Sequence, residues 1–267
     1  MTIMTLIKTV TDEKFLFDFR QDVYDKLLDK YGNLTEFRER LESFIASLVI
    51  DRNKYNINPY SEPINTGIYI LGKYDSELGI FPNANLALKC SQDKFLAEDL
   101  RKQFYRSIQL AHNFEDKFNS CEQDLLSVCP VYSYAKTNIK NSFFKHILFT
   151  QRIEGDQTLG NTKSGFSAEF CQVFKIPSLQ EISVKRQFAL HRALDRDKQR
   201  QLLKIQTAYL FRRLWLKGIK IFSLNQKNIM VSQDPQTNRT RYILIDPVPN
   251  YLLPISPIYN TLTFLGC

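Results

Sequence analysis

No apolar run in this sequence approaches the ~20 residues that a membrane-spanning helix needs, so a bilayer-spanning helix is not expected. Met1 to Val10 lack the long apolar core of a secretory signal. The expected location is cytoplasmic, and export as an effector by a route that reads no such peptide stays compatible with that. The five cysteines, Cys90, Cys121, Cys129, Cys171 and Cys267, form no C-x-x-C pair and no regular framework. That pattern points to reduced thiols rather than disulfides. The three histidines, His112, His146 and His191, are far apart, and no zinc spacing emerges. Contiguous runs of one charge sign, internal repeats and low-complexity segments are also missing.

What is present is ordinary for a globular chain: 267 residues, 43% apolar and 24% charged. This length allows one two-lobed domain or two small ones, with a substantial core. The net charge of +8 raises nucleic acid or an acidic membrane as partners. Its densest zone, Arg186, Arg192, Arg196, Lys198, Arg200, Lys204, Arg212 and Arg213, reads more simply as a solvated helical surface.

Phe15–Tyr31 and Leu34–Asp51 read as two amphipathic helices, followed by a proline- and asparagine-rich linker at 53–65. The first 60 residues are thus expected to be an N-terminal helical extension. Short apolar runs then predict strands at Thr66–Leu71 and Asn85–Cys90, and a long helix spans Asp93 to about Phe114. Further strands are expected at Val128–Ala135 and Lys145–Arg152. Arg196–Lys217 is the strongest helix, with Leu202, Ile205, Tyr209 and Leu216 on one stripe and Gly218 placed to end it. Asn228–Ser232 and Arg241–Asp246 read as a hairpin joined through Asp234–Asn238. The order predicts an α+β protein with two lobes.

Four pieces bear on chemistry. Lys89 lies inside the apolar run Leu86-Ala87-Leu88-Lys89. A lysine there is commonly an edge-strand charge, and alternatively a cation aimed at phosphate oxygens. Asp246 follows Tyr242-Ile243-Leu244-Ile245 and precedes Pro247, where it either makes a turn or serves as a ligand. Asn228 opens the preceding strand, and an amide oxygen beside a carboxylate suits Mg²⁺. Gly72 and Gly79 flank a loop before the lysine strand, a weak sign of a phosphate-covering loop.

In this order the pieces resemble the protein kinase superfamily over Thr66–Tyr251. Leu86-Ala87-Leu88-Lys89 resembles the V-A-I-K strand. Ile147 to Gly155 resembles the last N-lobe strand and the hinge that holds an adenine, which implies nucleotide contacts at Gln151 and Ile153. Ile221-Phe222-Ser223-Leu224-Asn225-Gln226-Lys227-Asn228 is similar to the H-R-D-L-x-x-x-N loop, and Asp246-Pro247-Val248 falls at D-F-G. Within the superfamily, Ser223-Leu224-Asn225-Gln226-Lys227-Asn228-Ile229 resembles the YrbL-like proteins of the PhoP regulatory network.

The resemblance implies a bilobal kinase-like fold, with an N-lobe over residues 61–153 and a reduced helical C-lobe over 154–267. It implies ATP and Mg²⁺ as cofactors, with Lys89 on the phosphates and Asn228 and Asp246 on the metal. A glutamate on the helix after Lys89 is the expected ion-pair partner; Glu98 is a candidate, and Gln103 and Glu115 share that helix. Ser223 stands where the family usually has the aspartate that takes the acceptor's proton. Little chain follows Asp246, as in the stripped-down kinase folds of some bacterial effectors.

Three readings follow. The first is an ATP-dependent transferase that moves phosphate, or AMP, to a protein or small-molecule acceptor. The second is a pseudokinase that docks a partner without turnover. The third, a basic nucleic-acid-binding protein, ranks last because no motif supports it; it would show affinity falling steeply with salt.

Overall fold

The run Phe15-Leu16-Phe17-Asp18-Phe19-Arg20 alternates apolar and mixed side chains, and a strand turns every second one to the same face. In the computed structural model, three phenylalanines of this run are buried together, Phe15, Phe17 and Phe19. The structure describes residues 6–50, 68–74, 86–91, 94–140, 145–153, 157–162, 164–184, 198–221, 224–234 and 237–247. It is a mixed α+β protein, and the chain divides into two units, Met1–Gln109 with Pro130–Arg152, and Leu110–Cys129 with Ile153–Cys267.

The first unit is built on a six-stranded antiparallel sheet. Its strands are β1 (Ile7–Thr11), β2 (Phe15–Arg20), β3 (Ile68–Tyr74), β4 (Leu86–Ser91), β6 (Val131–Thr137) and β7 (His146–Gln151), in the order β1-β2-β6-β7-β4-β3. The helix expected over Phe15–Tyr31 is therefore corrected: its first six residues are β2, paired to β6, and only Gln21–Tyr31 is helical (α1). The N-terminal segment is not wholly helical, since β1 and β2 open it as a hairpin in the larger sheet.

The two faces of this sheet are both covered. On one, Phe15, Phe17, Phe19, Leu88, Cys90, Ala135, Ile147 and Phe149 pack with Val23 and Leu27 of α1 and Phe37 of α2 (Leu34–Ile50). On the other, Val131, Tyr134 and Leu148 pack with Leu100, Phe104 and Ile108 of α3 (Lys94–Lys117). Each buried phenylalanine contributes roughly 1.5–3 kcal/mol of apolar transfer. α1 and α2 thus serve as one layer of this unit.

Two polar pairs lie on the α3 face. Asp18 is fully buried and accepts from Arg101 Nε at 2.7 Å and Thr9 Oγ1 at 2.7 Å. Hydrogen bonding to Asp18 raises the Arg101 guanidinium above its usual range. Tyr134 Oη lies 2.7 Å from His146 Nδ1, and burial, with Lys136 nearby, lowers the imidazole to about 4.

The second unit holds a four-stranded sheet in the order β5-β10-β9-β8. Its strands are β5 (Leu126–Val128), β8 (Gln157–Thr158), β9 (Ile229–Gln233) and β10 (Thr240–Leu244), with β5 parallel to β10 and the others antiparallel. The single strand expected over Val128–Ala135 is thereby corrected. Cys129 and Pro130 break it, and its halves, β5 and β6, join different sheets. Proline donates no ladder hydrogen bond, which makes the interruption natural.

The short helices α4 (Ser120–Leu125), α5 (Ala168–Phe174) and α6 (Leu179–Val184) and the longer α7 (Lys198–Leu216) complete this unit. α7 is buried nearly all round: Leu202, Leu203, Ile205, Gln206, Thr207, Ala208, Leu210, Phe211 and Leu214 are inside. Leu216, expected on its apolar stripe, is instead 68% exposed. Gln206 fixes the preceding loop, accepting from Phe166 N at 3.0 Å and donating to Pro177 O at 3.0 Å. Gly165 lies against it with φ of 69°, where a Cβ would stand 2.7 Å from Gln206 Oε1. Gly218 ends α7 as expected, with φ of 72° and bonds from Gly218 N to Trp215 O and Ile219 N to Leu214 O.

Among the described residues Cys90, Cys121, Cys129 and Cys171 are free thiols. Burial pushes Cys171 up to about 11. No helix among the described residues is long and apolar enough to cross a membrane.

Candidate functional site

Lys89 occupies the middle of β4, which is an interior strand with β3 on one side and β7 on the other. The edge-strand reading of this lysine is therefore removed. Its direct cross-strand partners are Ile70 and Leu148. Opposed residues of an antiparallel pair share a face. Leu148 packs with Leu100 and Phe104, so Lys89 projects on the face that α3 covers. The neighbours Leu88 and Cys90 point to the other face, which is why Lys89 is half-buried between two fully buried residues. Glu98 falls within α3, on the element the resemblance requires; its side chain lies outside the described residues. Gln103 on the same helix is buried, and Glu115 is exposed in its last turns.

Gly72 is not the start of a loop. It lies within β3, where the register shifts between Leu71 and Tyr74, so Gly72 and Lys73 together face one residue of β4. A glycine at such a bulge removes side-chain crowding while the strand bends. Gly79 lies outside the described residues. Gln151 ends β7 opposite Leu86, and its backbone N–H donates to Pro130 O at 2.8 Å. The chain passes from the first unit to the second between Arg152 and Ile153, and Ile153 is half-buried.

In the second unit the structure brings Asn228 and Asp246 together. Ile221 and Leu224 are buried in the core and anchor the segment that leads to them. Ser223 lies between these anchors, outside the described residues. The chain then makes a 3₁₀ turn at Gln226–Asn228, and Asn225 caps it by accepting from Lys227 N at 2.8 Å and Asn228 N at 3.2 Å. Asn228 is thus the last residue of the turn rather than the first of the strand, a small correction. β9 and β10 pair from Ile229 opposite Leu244, and beyond that pair Ile245 N donates to Asn228 O at 3.0 Å. Asn228 Nδ2 donates to Asp246 O at 3.1 Å. Asp246 stands two residues past the end of β10, half-buried, before the buried Pro247.

The backbone bond fixes the amide plane of Asn228, so its Oδ1 and the Asp246 carboxylate are two hard oxygen donors on one short stretch of ladder. Mg²⁺ is commonly held by one or two such side chains and completes its shell with phosphate oxygens and water. The donor set fits that ion. Among the described residues, no group of three His, Cys, Asp or Glu side chains is arranged to hold a metal.

Asn225 is the functional-site residue that sequence reasoning passed over. Its signal is an asparagine directly before a three-residue turn, the common position of an Asx cap. Gly160 supports the same turn from beneath, where an added Cβ would lie 3.2 Å from Gln226 Cγ.

No protein-family model matches this chain, and no curated protein matches it. Among solved structures, the crystal structure of a rhoptry kinase from Toxoplasma gondii aligns over 66% of this chain and 41% of the kinase, at 14% identity and a TM-score of 0.32. The chain thus spans about two fifths of that kinase's length. At that TM-score the alignment does not establish a shared fold.

Proposed function

We propose that this chain is a kinase-like protein that binds ATP with Mg²⁺ and transfers phosphate to a protein or small-molecule acceptor. The observation that carries this reading is the pairing of Asn228 with Asp246 across the end of the β9–β10 hairpin. The interior position of Lys89 supports it, because pairing on both sides of its strand places the ammonium within the sheet rather than on a solvent-facing edge.

Lys89 would neutralise phosphate oxygens as a compact cation. Asn228 and Asp246 would hold Mg²⁺, an ion that supplies charge neutralisation to phosphate groups when bound. In the transfer, the bond from the γ-phosphorus to its bridging oxygen breaks, ADP leaves with that oxygen, and a bond to the acceptor oxygen forms while the acceptor's proton passes to solvent water. Ser223, at the position of the usual base, would orient the acceptor hydroxyl without taking its proton. Positioning and charge stabilisation carry most of such catalysis. Moving the AMP part of the same nucleotide is the variant of this reaction that a missing base leaves open.

Incubation of the protein with ATP labelled at the γ-phosphorus, and separately at the α-phosphorus, tests the reading. Label transferred from the γ-position, lost in Asp246→Ala, supports phosphoryl transfer. Transfer from the α-position alone assigns AMP transfer instead. No transfer to any acceptor, with nucleotide binding retained, moves the protein to the non-catalytic class.

A further inference from the structure

Residues 198–233 contain eight basic side chains, Lys198, Arg200, Lys204, Arg212, Arg213, Lys217, Lys220 and Lys227, and no acidic one. The whole chain has 36 basic and 28 acidic residues, so the remainder has 28 of each and the net +8 resides in this one stretch. The structure adds what the sequence does not show. At the C-terminal end of α7 the two large apolar side chains exposed among the described residues stand next to each other, Trp215 at 39% and Leu216 at 68%. Arg212, Arg213, Lys217 and Lys220 surround them in sequence and are all exposed. Arg213 Nε donates to Lys175 O, which ties the exposed Lys175 to the same end of the helix. Lys217 also pairs with the buried Glu122 at 2.6 Å.

We infer that this end of α7 docks on an anionic lipid surface, with Leu216 and the edge of Trp215 entering the headgroup boundary and the cations meeting lipid phosphates and carboxylates. An indole and an aliphatic side chain ringed by long cationic stems is the composition of an interfacial anchor. Basic residues near an anionic leaflet add to its attraction. Two alternatives fit less well. The apolar area of one tryptophan edge and one leucine is far below the roughly 800 Å² per partner of a stable protein interface. Single-stranded nucleic acid would need an open aromatic face for base stacking. Trp215 has Phe211 against it at 5.3 Å between ring centroids and Lys220 Nζ over its ring at 5.9 Å. The docking is independent of nucleotide binding.

Trp215 is the single tryptophan of the chain, so intrinsic fluorescence reports this site alone. The full chain is titrated with vesicles of phosphatidylserine and phosphatidylcholine, and with phosphatidylcholine alone. The expected result is a blue-shifted, brighter emission and co-sedimentation with the anionic vesicles only, both reversed by high salt. Leu216→Asp is expected to weaken partition about tenfold or more, and Arg212→Glu with Arg213→Glu about thirtyfold or more. All these side chains are exposed, and an unchanged melting curve verifies that each variant is folded. Absence of a shift and of co-sedimentation overturns the inference. So does vesicle binding that Leu216→Asp leaves unchanged, or a preference for a single-stranded RNA over the anionic vesicles.

Discussion

The side-chain amide of Asn228 donates to the backbone carbonyl of Asp246 at 3.1 Å, while the backbone carbonyl of Asn228 accepts from Ile245 N at 3.0 Å. Eighteen residues apart in sequence, the two residues are therefore held side by side by hydrogen bonds to the backbone. The turn that delivers Asn228 depends on Asn225, whose side chain accepts two amides. Replacing a capping asparagine by alanine costs about 0.5–2 kcal/mol. Asn225→Ala is expected to lower stability by that amount and to weaken Mg²⁺-dependent ATP binding, as read by denaturant midpoint and by titration. Wild-type nucleotide affinity in this variant would separate the cap from the site.

Lys89 sits on an interior strand, so removing its charge leaves the ladder intact. Lys89→Met keeps most of the stem and removes the ammonium. The expected outcome is an unchanged or slightly raised melting temperature together with an ATP Kd raised about tenfold or more, equivalent to about 1.4 kcal/mol. A variant that binds ATP as well as the parent would return Lys89 to a purely structural reading.

Asp18 is a fully buried carboxylate of the first unit, and Arg101 is its half-exposed partner. Arg101→Met would leave that carboxylate with Thr9 alone among the contacts described for it. A buried acceptor stripped of a partner destabilises by about 1–3 kcal/mol. The urea midpoint is expected to fall accordingly, and Asp18→Asn in the same chain to recover part of the loss through coupling. A change under about 0.5 kcal/mol would place the pair with ordinary surface contacts.

His146 supplies the pH dependence. Its imidazole is lowered from 6.5 to about 4 because burial disfavours the charged form, with Lys136 adding to the effect. The folded state thus holds the neutral ring, and the unfolded chain binds the proton first. Stability is complete above pH 6.5 and is lost progressively as the pH falls from there toward about 4. The slope is at most about 1.4 kcal/mol per pH unit. Denaturant midpoints across that window, compared with His146→Gln, are expected to show a slope in the parent that the variant lacks. Identical profiles would contradict the assignment.

The strand that carries Lys89 and the hairpin that brings Asn228 near Asp246 were legible in the sequence, and the first strands were not. Lys89, Asn228 and Asp246 are polar residues inside or at the ends of apolar runs, and such exceptions stand out against a strand pattern. Which strand lies at an edge is set by pairing, so the interior place of Lys89 became visible only with the sheet order. Phe15, Phe19, Val23 and Leu27 recur every four residues, which fits a helix; Phe15, Phe17 and Phe19 recur every two, which fits a strand. Pairing of β2 with β6 decides between the periods, and no local signal carries that information. Leu216 misled for a similar reason. α7 is buried almost all round through its middle, so its stripe gave no sign of where burial stops.

Calorimetric titration of the full chain with ATP, in the presence and absence of Mg²⁺ and beside Asp246→Ala, tests the central claim most directly. The account predicts binding that requires Mg²⁺ in the parent and is lost in Asp246→Ala, with the melting curve of the variant unchanged. Absence of binding by the parent with Mg²⁺, or equal binding by the folded variant, would contradict it.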